Sequence, residues 1–126
     1  MIHYHIKQSK FTEHISNDPF SSIVEPSLGK LTELFSDRQE NLICFGHHHP
    51  IHFFNHQDRT YLNPGSLGCN YKPTARFALV DVVGVQLRIE LNEVIYDNTD
   101  FLKSYSMLNV PDHEFILKIF HGNQFR

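Results

Sequence analysis

The segment of this chain best equipped to do chemistry is Gly46-His47-His48-His49-Pro50. His47 and His49 are two residues apart, so in an extended stretch their rings point the same way. Neutral imidazole is a good ligand for Zn, Fe, Mn or Ni. His3 and His5 share one side of the alternating segment Ile2-His3-Tyr4-His5-Ile6 by the same period of two. If that segment lies beside the strand leading into Gly46, up to four imidazoles meet at one place. From H-x-H spacing alone, a solvated loop that picks up metal adventitiously is the stronger reading, because short motifs match by chance.

Other chemistries fit less well. Ser66, in Asn63-Pro64-Gly65-Ser66-Leu67-Gly68, is not a nucleophile elbow, since G-x-S-x-G requires Gly where Pro64 stands. No Lys follows these glycines, so they form no P-loop. Cys44 and Cys69 belong to no C-x-x-C, which removes a zinc ribbon and a dithiol redox motif. They read as two reduced thiols of a cytoplasmic protein, Cys44 as a small core residue. Asp81 and Glu90 have no partner at a diagnostic spacing and read as solvated sheet-face residues. His52, His56, His113 and His121 read as surface or partly buried.

The elements that must hold the histidines follow from patterning. Ile2–Ile6 is a strand beginning at the first residues. Residues 8–26 are polar and broken by Asp18-Pro19 and Glu25-Pro26, and read as a long loop. Ser27 caps a helix to about Ser36, with Leu28, Leu31, Leu34 and Phe35 on one face. Leu42-Ile43-Cys44-Phe45 is a short apolar strand buried on both faces. Pro50 then disfavours helix and leaves the histidines on a loop. Ile51–Asn55 and Thr60–Asn63 are strands joined through His56-Gln57-Asp58. Arg76–Val82 and Val85–Leu91 form a hairpin around Val83-Gly84, with Glu93–Tyr96 extending it after a break at Asn92. Two helices close the chain, from Thr99 to Leu108 and from Pro111, at the first helical position, to a stop at Gly122. The reading is an α/β fold, predominantly a β sheet flanked by helices, in a single domain over residues 1–126.

Composition narrows the function class. Ten histidines in 126 residues are unusual. At 40% hydrophobic and 20% charged the chain is too apolar for disorder. A net charge of −3 gives no basic field for a phosphate backbone, which argues against general nucleic-acid binding. No apolar run approaches a membrane span, and no signal peptide is visible in Met1–Lys10.

The order of motifs carries more than any one of them. A strand-borne His3 is followed by a helix, then by a strand ending in Gly46-His47-His48-His49. Next come two short strands, Asn63-Pro64-Gly65-Ser66-Leu67-Gly68, and the strand Ala75–Asp81. Over about residues 1–91 this resembles the C-terminal half of a calcineurin-like metallophosphoesterase. It is most similar to the small bacterial branch of phosphodiesterases and diadenosine-tetraphosphatase-like enzymes.

The resemblance implies one half of an αββα sandwich. It also implies a hydrolase acting on phosphodiesters or nucleotides through a two-metal site. His3 and His47 would sit on the second metal and His49 on the first. Asn63, Gly65 and Ser66 would form a turn beside the site, and no catalytic residue is carried over. The family's earlier motifs, D-x-H, G-D-x-x-D and G-N-H-[DE], are absent from this sequence, so the reading is a truncated domain. Two ions roughly 3.5–4 Å apart need a bridging anion to offset their repulsion. Three imidazoles alone are therefore expected to hold at most one Mn, Fe, Zn or Ni ion weakly. The expected partners are a complementing N-terminal half or a second copy covering an exposed sheet face. The alternative is a non-enzymatic metal- or protein-binding remnant.

Overall fold

The computed structural model describes residues 1–2, 11–12, 14 and 25–124. The fold is mixed α/β, with five strands in two sheets and three helices among the described residues. The chain divides into two compact units, Met1–Gly65 and Ser66–Arg126. Among the described residues, no helix is long and apolar enough to cross a membrane.

In the first unit, helix α1 spans Leu28–Leu34. The Ser27 hydroxyl accepts from the Lys30 N–H at 3.5 Å, a long cap bond, and the helix stops at Phe35, a residue short of the expected end. Its heptad-like stripe is real: Leu31, Leu34 and Phe35 are buried against Ile43, Phe45 and Tyr61, with Ile2, Leu28 and Phe54 at the margin. The Phe35 ring stands 5.2 Å from Phe45 and 6.0 Å from Tyr61, within the range where aromatic pairs add roughly 0.5–1.5 kcal/mol beyond area burial.

The sheet beneath α1 has the order β1-β3-β2, with β1 at Leu42–Cys44, β2 at His52–His56 and β3 at Arg59–Asn63. β1 runs parallel to β3, pairing Ile43 with Tyr61, and β2 runs antiparallel to β3. Ile2 forms a parallel bridge to Phe45, and its N–H donates to the Cys44 carbonyl at 2.9 Å. Only one face of β1 is fully buried: Ile43 is inside, while Leu42 and Cys44 are half-buried. The expectation of two buried faces fails because α1 covers one side. The remainder of the Ile2–Ile6 strand and most of the 8–26 loop lie outside the described residues. The turn between β2 and β3 is Gln57-Asp58, so His56 belongs to the strand and β2 begins one residue later than its pattern suggested.

In the second unit, β4 (Thr74–Val83) and β5 (Gln86–Ile95) pair antiparallel over their whole length and turn at Gly84-Val85. Asn92 does not break β5; it pairs with Phe77. Cross-strand pairing supplies both backbone partners at that position, so a poor strand former is carried through. Helix α2 spans Thr99–Met107. Asn98 occupies the cap position without a side-chain bond to the helix, and the Asp97 carboxylate instead accepts from the Thr99 N–H at 2.9 Å. The Thr99 side chain first, and then this N–H, holds the Asp97 carboxyl below its ordinary pKa by hydrogen bonding.

Helix α3 spans His113–His121, not from Pro111. Asp112 precedes it in the left-handed region, which displaces the expected start by two residues. Gly122 does end it, at φ 61°. A Cβ there would meet the Tyr71 ring at 2.7 Å, so both the backbone and the neighbour require glycine. The end of the described chain is tied back inside this unit. Gln124 Nε2 donates to the Asn70 carbonyl at 2.6 Å, and Asn98 Nδ2 donates to Gln124 Oε1 at 3.0 Å.

Candidate functional site

The histidine loop leaves β1 at its C-terminal end, where parallel strands present residues to a crevice. The His48 N–H donates to the Gly46 carbonyl at 2.8 Å across His47, whose φ is 69°. That combination is a γ-turn with a positive central φ, a rare and strained conformation for a residue other than glycine. His47 is therefore thrust out of the strand direction and is exposed. The His47 and His48 rings meet edge to face, with centroids 5.4 Å apart.

Asn63 fixes the loop from below. It is fully buried at the end of β3; its Nδ2 donates to the His48 carbonyl at 2.6 Å, and its Oδ1 accepts from the Gly65 N–H at 2.9 Å. Gly65 sits at φ 95°, which lets the Asn63-Pro64-Gly65 turn fold back onto the Asn63 side chain. One amide thus joins two of the segments singled out in the sequence. Ser66, in the second unit, accepts with its Oγ from the N–H groups of Gly68 at 3.3 Å and Cys69 at 2.8 Å, closing its own turn.

His49 is partly buried, and its imidazole is held below the ordinary pKa, first by burial and then by the nearby His47 ring. It is neutral at pH 7, the state a metal ligand requires. His47 and His49 are the two imidazoles of the expected trio that the structure describes, and His3 lies outside the described residues. Among the described residues, no three His, Cys, Asp or Glu side chains are close enough to hold a metal ion. Among the described residues, His47 and His49 alone do not complete a metal centre.

His52 is the histidine whose place the sequence did not reveal. It opens β2 and pairs with Asn63, and it is fully buried with no hydrogen-bond partner for either ring nitrogen among the described residues. Its ring packs 5.3 Å from Phe45 and 6.0 Å from His48. Burial, reinforced by His48, lowers its pKa to about 4. The signal for this position is the pairing of Phe54 with Tyr61, since residues two apart on β2 share a face and Tyr61 faces the core. His121 is likewise buried in the second unit, against the Phe101 and Tyr105 rings.

An open polar cleft of about 310 Å³ lies at the opposite end of β1 and β3, lined by Glu40, Asn41, His56, Asp58, Arg59 and Tyr61 among others. Arg59 closes its floor by donating to the carbonyls of Arg38 at 2.6 Å and Glu40 at 3.2 Å. Neither His47 nor His49 lines it.

The calcineurin-like phosphoesterase superfamily domain matches residues 1–84. That span includes His3, the histidine loop and the Asn63–Ser66 turn. No curated protein and no solved structure gives a match. Two-thirds of the sequence follows the family pattern, and the Asn63 amide ties two of its motifs together; the chain belongs to the calcineurin-like phosphoesterase superfamily.

Proposed function

We propose that this chain carries the later, imidazole-bearing half of a small bacterial-type phosphoesterase site. In this reading it hydrolyses phosphodiesters or nucleotides only when a complementing N-terminal half supplies the missing carboxylates. His3, His47 and His49 are the proposed ligands, and one Mn, Fe, Zn or Ni ion bound weakly is what this chain holds alone. The metal, when bound, supplies Lewis-acid stabilisation of charge on a phosphoryl oxygen. The chain's own residues do the positioning. The strained turn at His47 presents one imidazole, the depressed basicity of His49 keeps a second one neutral, and Asn63 locks the carbonyl between them.

The observation that carries this reading is the family match over residues 1–84, spanning every proposed ligand and the Asn63 turn. The second reading is a remnant that binds metal or protein without catalysis. The two separate in one assay, with Mn²⁺ and bis-p-nitrophenyl phosphate added to the chain alone and with a candidate complementing half. Turnover only in the mixture, lost on His49→Ala, supports the split-site enzyme. Metal binding at one ion per chain, with no turnover in either arm, supports the remnant. Turnover unaffected by His47→Ala and His49→Ala would refute the assignment of these ligands.

A further inference from the structure

The β4–β5 hairpin forms a two-stranded sheet by itself, and among the described residues no other strand hydrogen-bonds to the outer edge of β5. Such an edge is a template for another strand, and an isolated hairpin is marginal in water. Alternation sorts the hairpin into two faces. One carries the cross-strand apolar pairs Ala78–Leu91, Val80–Ile89 and Val82–Leu87, and Val82 is 64% exposed. The other carries Arg88, Glu90 and Asn92 on β5. Arg88 and Glu90 are both exposed, and Arg88 Nη2 lies 2.6 Å from Glu90 Oε1.

Read in both directions, the central part of β5, Gln86-Leu87-Arg88-Ile89-Glu90-Leu91-Asn92, is complementary to itself. We propose that the outer edge of β5 pairs antiparallel with the same edge of a second copy of this chain, about a two-fold axis at Ile89. Ile89 then stands opposite Ile89 of the partner subunit. Leu87 meets Leu91, Arg88 meets Glu90 and Gln86 meets Asn92, each twice by symmetry.

Neighbouring registers fail on charge or on face. Centring the axis on Glu90 sets carboxylate against carboxylate, and centring it on Arg88 sets guanidinium against guanidinium. A shift by a single residue brings apolar side chains opposite polar ones on the wrong face. The Ile89 register alternates two Arg and two Glu along one face and joins the two apolar stripes on the other. The product is a four-stranded sheet with a closed, isologous seam. This gives self-association a surface and a register. It stands apart from the phosphoester reading, so either can fail alone.

Sedimentation equilibrium on the full chain, with Arg88→Glu and Glu90→Arg variants, tests it. The unaltered protein is expected to sediment at twice 14.8 kDa at tens of micromolar. Each single reversal places four like charges at the seam, raising the dimer dissociation constant by roughly tenfold or more. The doubly reversed chain restores complementarity and the dimer. An equimolar mixture of the two single variants forms a heterodimer, because one is acidic and the other basic at the same positions. Unchanged far-UV circular dichroism shows that the variants are folded. A monomeric unaltered chain, a dimer indifferent to both single reversals, or single variants that fail to pair when mixed would each overturn the proposal.

Discussion

Acid should destabilise the Met1–Gly65 unit through His52. The ring is fully buried, neither nitrogen has a partner among the described residues, and its pKa falls from 6.5 to about 4. That drop corresponds to about 3 kcal/mol of preference for the neutral ring in the folded state. Above pH 6.5 neither state of the protein holds this proton, and the full contribution is present. Between 6.5 and about 4 the unfolded chain takes up the proton first, so stability declines by up to roughly 1.4 kcal/mol per pH unit. Below about 4 both states are protonated, and His52 adds no further loss.

His52→Leu keeps comparable bulk against Phe45 and removes two unsatisfied nitrogens, so it is expected to be neutral or to stabilise by roughly 1–2 kcal/mol at pH 7.5. Urea unfolding followed by circular dichroism at pH 7.5, 6, 5 and 4.5 reads both effects. The gap between variant and parent should widen steadily toward acid, and subtracting the two curves cancels the other histidines. Proton NMR of the folded protein should show the His52 ring resonances unmoved from pH 8 to 5. A His52 titration near 6.5, or a gap that does not change with pH, would rule out His52 as the source of the acid sensitivity.

Asn63→Ala removes the donor to the His48 carbonyl and the acceptor for the Gly65 N–H together. It should cost roughly 2–3 kcal/mol in urea unfolding, and Asn63→Asp, which keeps the acceptor but buries a carboxylate against the His48 carbonyl, should cost at least as much. Gly122→Ala forces a Cβ into the left-handed region and within 2.7 Å of the Tyr71 ring. It should lower stability by roughly 1–3 kcal/mol and shift the Tyr71 ring resonances, with no effect on divalent-cation binding. His49→Ala should abolish or weaken binding of Mn²⁺ or Zn²⁺ at least about tenfold by calorimetry. In the parent that affinity should fall as pH drops, because protons compete for the same imidazole nitrogens.

Much of the local structure was legible one segment at a time. Ser27 and the Leu31, Leu34 and Phe35 stripe specified α1, Gly122 specified the end of α3, and alternation specified β4 and β5. Boundaries slipped where a neighbour decided them. Asn92 stays in register because Phe77 holds it there, and α3 begins after Asp112 rather than at Pro111. Of the site, the sequence supplied residue types and order. His47 and His49 came from H-x-H spacing, Asn63 from its place in the turn, and the family from the succession of motifs.

What the sequence determined alone was therefore what depends on near neighbours along the chain: caps, periodicity, turn chemistry and motif order. The tertiary structure decided which face each element turns inward. By composition, Ile51, just before β2, and Phe53 within it are the apolar alternates and the natural candidates for burial. They are 36% and 39% exposed, whereas His52 is 0% exposed. The reason is pairing: Phe54 lies opposite Tyr61, Tyr61 already faces α1, and His52 follows Phe54 by the two-residue repeat of a strand. Parity inherited from a neighbouring strand outranked local hydrophobicity, and the same pairing set buried His52 opposite the Asn63 that holds the histidine loop.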